Sequence, residues 1–310
     1  MAPQEQPPEI GRAPLPGGRL LVSPYTASVF AMLCWAGSTV IVRYVREDAP
    51  PLRLSFWRTL AAFFILLPFA FGPLRRQWPL VRRSWRILAL LALLLWVGGN
   101  ALLFVSLQYT IAINAAVINS VEPVIIAFFA WLLFRDPFTW RQGIGVALSL
   151  AGVLTLISAG SVENLLRLAF NRGDLIVTGA YIAWGLYAVL LRRAPRELDH
   201  RVTVVALLGF GAVMLLPLYL LEAVLVRPTP PLSATTLVTV LYLAVFSSAI
   251  AMLLWNRAIL QLGAARAGQF IHLIPAFTVV LAITLLGEVM GGHHVAGIVL
   301  IAAGLTVASR

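Results

Sequence analysis

Forty residues of this chain, Ala115 to Leu154, return at a fixed offset of 152 residues as Ala267 to Thr306. Pro123 falls on Pro275, Asp136 on Glu288, Gly145 on Gly297, and Ala151-Gly152 on Ala303-Gly304. Overall identity is low, so the weight lies on one proline, one acid and two glycines held at one offset without a gap. Each copy reads as an apolar helix, a tight acidic turn and a second apolar helix. A repeat of this length in a membrane chain points to a transporter built from two related halves.

The membrane is implied by composition. Of the 310 residues 60% are hydrophobic and only 11% charged, with mean hydropathy +0.91. A soluble domain carries about 25% charged residues. A helix needs about 20 apolar residues to cross the hydrocarbon core. Ten segments meet or approach that: Tyr25–Arg43, Leu52–Phe71, Arg86–Leu107, Ala112–Phe134, Trp140–Ser158, Asp174–Leu191, Val202–Val224, Ala234–Leu260, Ala264–Leu286 and His293–Ala308. The predicted organisation is a disordered cytoplasmic tail over 1–24, a five-helix repeat over 25–159, a connecting loop over 160–173 and a second five-helix repeat over 174–308. The tail is rich in Pro and Gly and lacks the apolar stretch of a signal peptide.

The net charge of +11 comes entirely from arginine, with no lysine in the chain. These arginines lie between apolar segments, as topology signals do, so nucleic acid is not an expected partner. With the N-terminus inside, sixteen fall on the inner side and seven on the outer. Both termini are therefore expected in the cytoplasm. The front of each half repeats too: Ala31 and Trp35 recur as Ala180 and Trp184, with Arg43 answered by Arg192, at an offset of 149. Five helices per half is odd, so the second copy enters from the opposite face. The fold class is all-α integral membrane, ten transmembrane helices in two inverted-topology repeats.

Trp35-Ala36-Gly37-Ser38 and the doubled hairpin of proline, apolar run, acid and two spaced glycines resemble the EamA family of the drug/metabolite transporter superfamily. The resemblance spans nearly all of 25–308. It implies that the first four helices of each half surround a central cavity, that the fifth helices pack at the flank, and that the halves rock. The aromatic content is similar to that of the family's aromatic amino-acid exporters. The implied activity is export of small metabolites, amino acids including aromatic ones first, across a bacterial inner membrane. A drug or sugar carrier of the same fold is the alternative within transport, and a membrane scaffold the alternative outside it.

A charge inside the bilayer costs roughly 2.5–3.5 kcal/mol on insertion scales, which makes it a functional candidate. Glu122 lies near the middle of the fourth segment, immediately before Pro123, where a missing backbone donor should kink the helix. The second copy has Pro275 there, with His272 upstream. Glu122 and His272 are the candidates for proton coupling or for contact with a substrate ammonium. Arg58 and Arg257 are expected instead to snorkel to the interfaces. Trp57, Trp78, Trp85, Trp131 and Trp140 fall near predicted helix ends and read as an interfacial belt. Trp35, Trp96, Trp184 and Trp255 lie deeper, and Tyr181, Trp184 and Tyr187 share one helical face. With Phe104 and the polar residues Ser38, Asn100, Asn119 and Gln269, the residues Trp35, Tyr181, Trp184 and Tyr187 form the expected substrate site. Aromatic walls suit rings and ammonium groups. Ordinary helix packing is the competing account for each ring, and close packing alone explains the glycine pairs.

Neither a catalytic set nor a cofactor motif is found. His293-His294 lack the spacing that puts two metal ligands on one helical face. The expected partners are the small-molecule substrate, the lipid bilayer and, as the one protein contact left open, a second copy in a homodimer.

Overall fold

The computed structural model describes residues 23–45, 50–106, 108–110, 112–166, 171–225, 233–286 and 290–309. The tail up to 22, Glu288, and part of the connecting loop (167–170) lie outside the described residues. Ten long helices follow in order: α1 (Pro24–Val45), α2 (Pro51–Arg83), α3 (Trp85–Ser106), α4 (Asn114–Phe134), α5 (Trp140–Ile157), α6 (Arg172–Arg193), α7 (His200–Leu225), α8 (Ala234–Leu262), α9 (Ala264–Leu285) and α10 (Gly292–Ser309). Among the described residues, α1 to α9 are long and apolar enough to cross a bilayer, with mean hydropathy from 1.4 to 2.4. The last, α10, is apolar but shorter over Gly292–Ala308.

The second helix is longer than its apolar run. With Pro68 already inside it, it continues past Phe71 through Pro73 and Pro79 to Arg83, 33 residues in all. At 1.5 Å per residue that is about 50 Å, well beyond the hydrocarbon thickness. Its distal end carries Arg75, Arg76, Arg82 and Arg83, all exposed. Pro68 has a counterpart in Pro217 of α7, again at an offset of 149.

Repeat-related helices pack against each other in opposite directions, which establishes the inverted topology. Along α5 and α10, a Cβ added to Gly145 would lie 2.6 Å from the Gly304 carbonyl oxygen, and one on Gly152 would lie 2.6 Å from that of Gly297. Glycine is required at these crossings because backbone meets backbone. Between the pairs, Ser149 Oγ donates to the Ile301 carbonyl (3.4 Å), two positions 152 apart. The α2–α7 pair is antiparallel as well. Glu222, near the end of α7, accepts from the Leu52 and Arg53 amides at 3.2 and 2.8 Å, placing a carboxylate on the N-terminus of α2. At the other end, Gln77 of α2 donates to the Glu197 carbonyl and accepts from the Asp199 amide, both at 2.8 Å.

The halves also interlock. The leading helix α1 packs on α8 and α9, and its counterpart α6 packs on α3 and α4. Each first helix thus belongs to the core of the opposite half. By contrast, α5 and α10 contact chiefly one another, the flanking position implied by the resemblance. At the turn into α5, Thr139 and Gln142 close a reciprocal capping box. Beside it, Asp136 pairs with Arg192 at the end of α6.

Candidate functional site

Four interruptions of helical geometry, two in each half, frame the middle of the bundle. In α3, residues Leu93–Ala101 wind as a π-helix, and in α8, 150 positions later, Leu243–Ile250 do the same. Such segments are rare and concentrate at functional sites. The second pair are breaks ahead of the two prolines. The fourth helix stops at Asn119 and restarts at Glu122, with a turn over Ser120 and Val121. The ninth narrows to a 3-10 turn over Gln269–His272 before resuming at Leu273. The kink expected at Pro123 is present, and its repeat mate is interrupted too.

The breaks touch. His272 Nε2 lies 2.9 Å from the Ser120 carbonyl, which can only accept, so Nε2 carries the proton. Ser120 and His272 are themselves 152 residues apart. Two equivalent positions in direct contact straddle the pseudo-two-fold axis. His272 is 1% exposed, and its Nδ1 has no partner among the described residues.

Glu122 follows the first break by two residues. It is buried and, among the described residues, makes no hydrogen bond or ion pair. The Tyr181 ring stands 5.5 Å from that of Trp184.

The π-turns receive the repeat-related tryptophans. Trp35 Nε1 donates to the Ser247 carbonyl in the π-turn of α8 (3.2 Å), and its ring meets Trp255 edge-on at 5.6 Å. Trp184 lies against the π-turn of α3, where a Cβ on Gly99 would fall 2.2 Å from its Nε1. Gly98 gives Ala183 the same close approach. Asn100, in that turn, sends its side-chain amide back to the Leu95 carbonyl of the same turn (2.8 Å).

Arg58 requires a correction. It does not snorkel: it is 5% exposed, donates to Asn100 Oδ1, and its guanidinium carbon lies 5.0 Å from the Phe104 ring and 5.8 Å from that of Trp96. Hydropathy cannot reveal this, because the face of α2 that carries Arg58 is fixed by tertiary packing against α3 and α7.

The remaining expected residues divide. Tyr187 donates to Asn256 Oδ1 at 2.6 Å, which turns it toward α8 and away from Tyr181. Ser38 donates to the Cys34 carbonyl of its own helix, a local bond. Asn119 is half-buried at the first break, and Gln269 is buried with Nε2 unpartnered. Of the expected site residues, Asn100, Glu122, Gln269 and His272 are each 8% exposed or less, as is Arg58, whereas Trp35, Phe104, Asn119 and Trp184 are half-buried.

The tryptophans separate as expected. Trp57, Trp78, Trp85, Trp131 and Trp140 are 36–71% exposed, whereas Trp96 and Trp255 are buried. A cluster missed from the sequence ties α6 to the turn between α3 and α4. Asp174 accepts from Thr110 Oγ1 and from Asn114 Nδ2 (3.0 Å), and from the Asn171 amide (2.7 Å). Its signal is a capping box at Asn171-x-x-Asp174.

Comparison with known proteins agrees with this architecture. The chain is 29% identical over 277 residues to the uncharacterized transporter YyaM of Bacillus subtilis strain 168, covering 87% of this chain and 88% of the relative. It is 27% identical to the uncharacterized inner membrane transporter YedA of Escherichia coli K12, covering 92% and 88%. It is 24% identical to the probable amino-acid metabolite efflux pump of Salmonella typhimurium LT2, covering 90% and 92%. One crystal structure superposes with a TM-score of 0.73 over 92% of this chain and 96% of that one, at 18% identity, which shows the fold alone. The model of the EamA-like transporter family matches twice, over residues 23–158 and 171–310, and the chain belongs to that family.

Proposed function

We propose that this protein exports small metabolites, amino acids including aromatic ones first, by alternating access across a bacterial inner membrane, with both termini cytoplasmic. The observation that carries the reading is the contact of two interrupted helices on the pseudo-two-fold axis, His272 to Ser120, with the Glu122 carboxylate buried beside it. Interrupted helices at matched places in inverted halves expose backbone groups for a substrate and supply the hinge about which the halves exchange. Glu122 and His272 are the proton or ammonium groups of this scheme, and Tyr181 and Trp184 supply aromatic surface to the same place. The name of the Salmonella relative supports an amino-acid metabolite, and that of the Escherichia coli relative supports the inner membrane. The arginine distribution supports the orientation.

Rocking requires that contacts at one end of the bundle release while those at the other form. The Asp174 cluster fastens the start of α6, whereas the corresponding start of α1 is held by a ring contact, Tyr25 on Phe270 at 6.1 Å. The end at which α1 starts has polar ties of its own, Gln77 with Glu197 and Asp199 and Asp136 with Arg192, so each end of the bundle holds contacts that must release in turn. The test is flux of labelled tryptophan and phenylalanine in proteoliposomes; no flux across an amino-acid panel removes the substrate assignment.

A further inference from the structure

We infer that Arg58 is the anchor for a carboxylate on the transported molecule, an inference that rests on the transport reading above and names one half of its substrate. Arg58 is only 5% exposed, and among the described residues it forms no ion pair with a carboxylate. A buried cation without a counter-charge is costly, and removing one partner of a buried pair is among the most damaging changes known in protein interiors. Such a charge persists where a ligand supplies its opposite. The surroundings accept a hydrogen bond and do not neutralise the charge. Asn100 Oδ1 takes one Nη2 hydrogen, and Asn100 is itself fixed through the Leu95 carbonyl of the π-turn. Among the described residues Arg58 Nε has no partner, nor does Ser55 Oγ one turn earlier on α2, where Ser55 is fully buried.

Two orphan donors beside one fixed positive charge form an anion subsite. Its geometry favours a planar carboxylate, because a guanidinium edge offers parallel N–H donors to two oxygens. The Phe104 and Trp96 rings flanking the guanidinium add an apolar wall for the carbon attached to that carboxylate. The π-winding of α3 turns Asn100 toward α2, so the distortion of that helix is what presents the site.

The test compares three probes that share one ring: L-phenylalanine, 3-phenylpropionate (acid without amine) and phenethylamine (amine without acid). Binding to the purified full chain is measured for the natural protein, Arg58→Gln and Arg58→Lys. The expected result is that the two acids bind the natural protein and weaken about thirtyfold or more in Arg58→Gln, the lower range for losing a desolvated charge partner. Arg58→Lys, which keeps the charge and loses the planar fork, falls between. Phenethylamine binding is the same in all three. Equal acid binding by Arg58→Gln and the natural protein overturns the assignment. So does displacement of 3-phenylpropionate by chloride at equal concentration, which would make this a site for inorganic anions. If Arg58→Gln does not fold, the lysine variant and the preference of the natural protein for 3-phenylpropionate over phenethylamine decide the matter. Arginine-dependent binding of 3-phenylpropionate without vesicle flux of any amino acid leaves the site standing and removes the amino-acid reading. Equal phenylalanine flux in both proteins does the reverse.

Discussion

His272 Nε2 donates to the Ser120 carbonyl across 2.9 Å, and the two residues occupy the same position in the two halves of the chain. The bond therefore lies on the axis about which the halves exchange, and it joins two helix breaks. Removing the imidazole leaves a buried carbonyl unsatisfied, a loss of about 1–3 kcal/mol. His272→Ala is expected to lower the thermal unfolding temperature in detergent and to reduce flux at least about tenfold (one such loss of 1.4 kcal/mol in the barrier). His272→Gln, which keeps a donor, should recover most of both. An alanine variant with unchanged stability and flux would place the bond outside the working hinge.

The α5–α10 seam makes a prediction about stability alone. A methyl on Gly152 meets the backbone of Gly297 at 2.6 Å, and backbone cannot give way as a flexible side chain can. Gly152→Ala should destabilise by about 1–3 kcal/mol, as overpacking does. Gly179 sits in α6 with nothing within 4 Å of an added Cβ. Gly179→Ala should be neutral or stabilising by about 0.5–1 kcal/mol, because alanine loses less backbone entropy in a helix. Thermal unfolding of the two variants side by side checks the pair.

Gly99 and Trp184 should be coupled. An added methyl at Gly99 would overlap the indole, with its Nε1 at 2.2 Å. Gly99→Ala alone should impair folding or flux, and Gly99→Ala combined with Trp184→Leu should restore stability by making room. A double-mutant cycle with an interaction energy of at least about 0.5 kcal/mol is expected, as for residues in contact. Strict additivity would mean that the indole lies elsewhere.

Orientation is tested by reporters fused to each terminus. Both should report the cytoplasm; an outward C-terminal reporter would contradict ten crossings, including the short α10, and with them the arginine assignment.

The repeat, the apolar helices and the break at Pro123 were legible because each depends on local chemistry. Proline lacks a donor wherever it sits, and an apolar run of twenty residues has one economical solvent. The glycine seam was legible for a related reason: spaced glycines in an apolar helix invite close approach. The π-turns were not, since Leu93–Ala101 and Leu243–Ile250 share little identity and their winding is selected by the helices packed on them. Nor was the burial of Arg58, which depends on how α2 is rotated against α3. The length of α2 was misread at Phe71, because prolines and arginines beyond an apolar run look like a loop while remaining compatible with a helix that has left the membrane. Tyr187 shows the limit of face-sharing: the same spacing that unites Tyr181 and Trp184 did not foresee the bond to Asn256.

The most direct test of the account is uptake of labelled phenylalanine or tryptophan into vesicles holding the natural protein or Glu122→Gln, with and without a pH gradient. Glu122 is the buried carboxylate beside the axis. The account predicts that the natural protein responds to the gradient, and that Glu122→Gln loses this response while still exchanging substrate across equal pH. A Glu122→Gln protein that answers the gradient as the natural one does would contradict it.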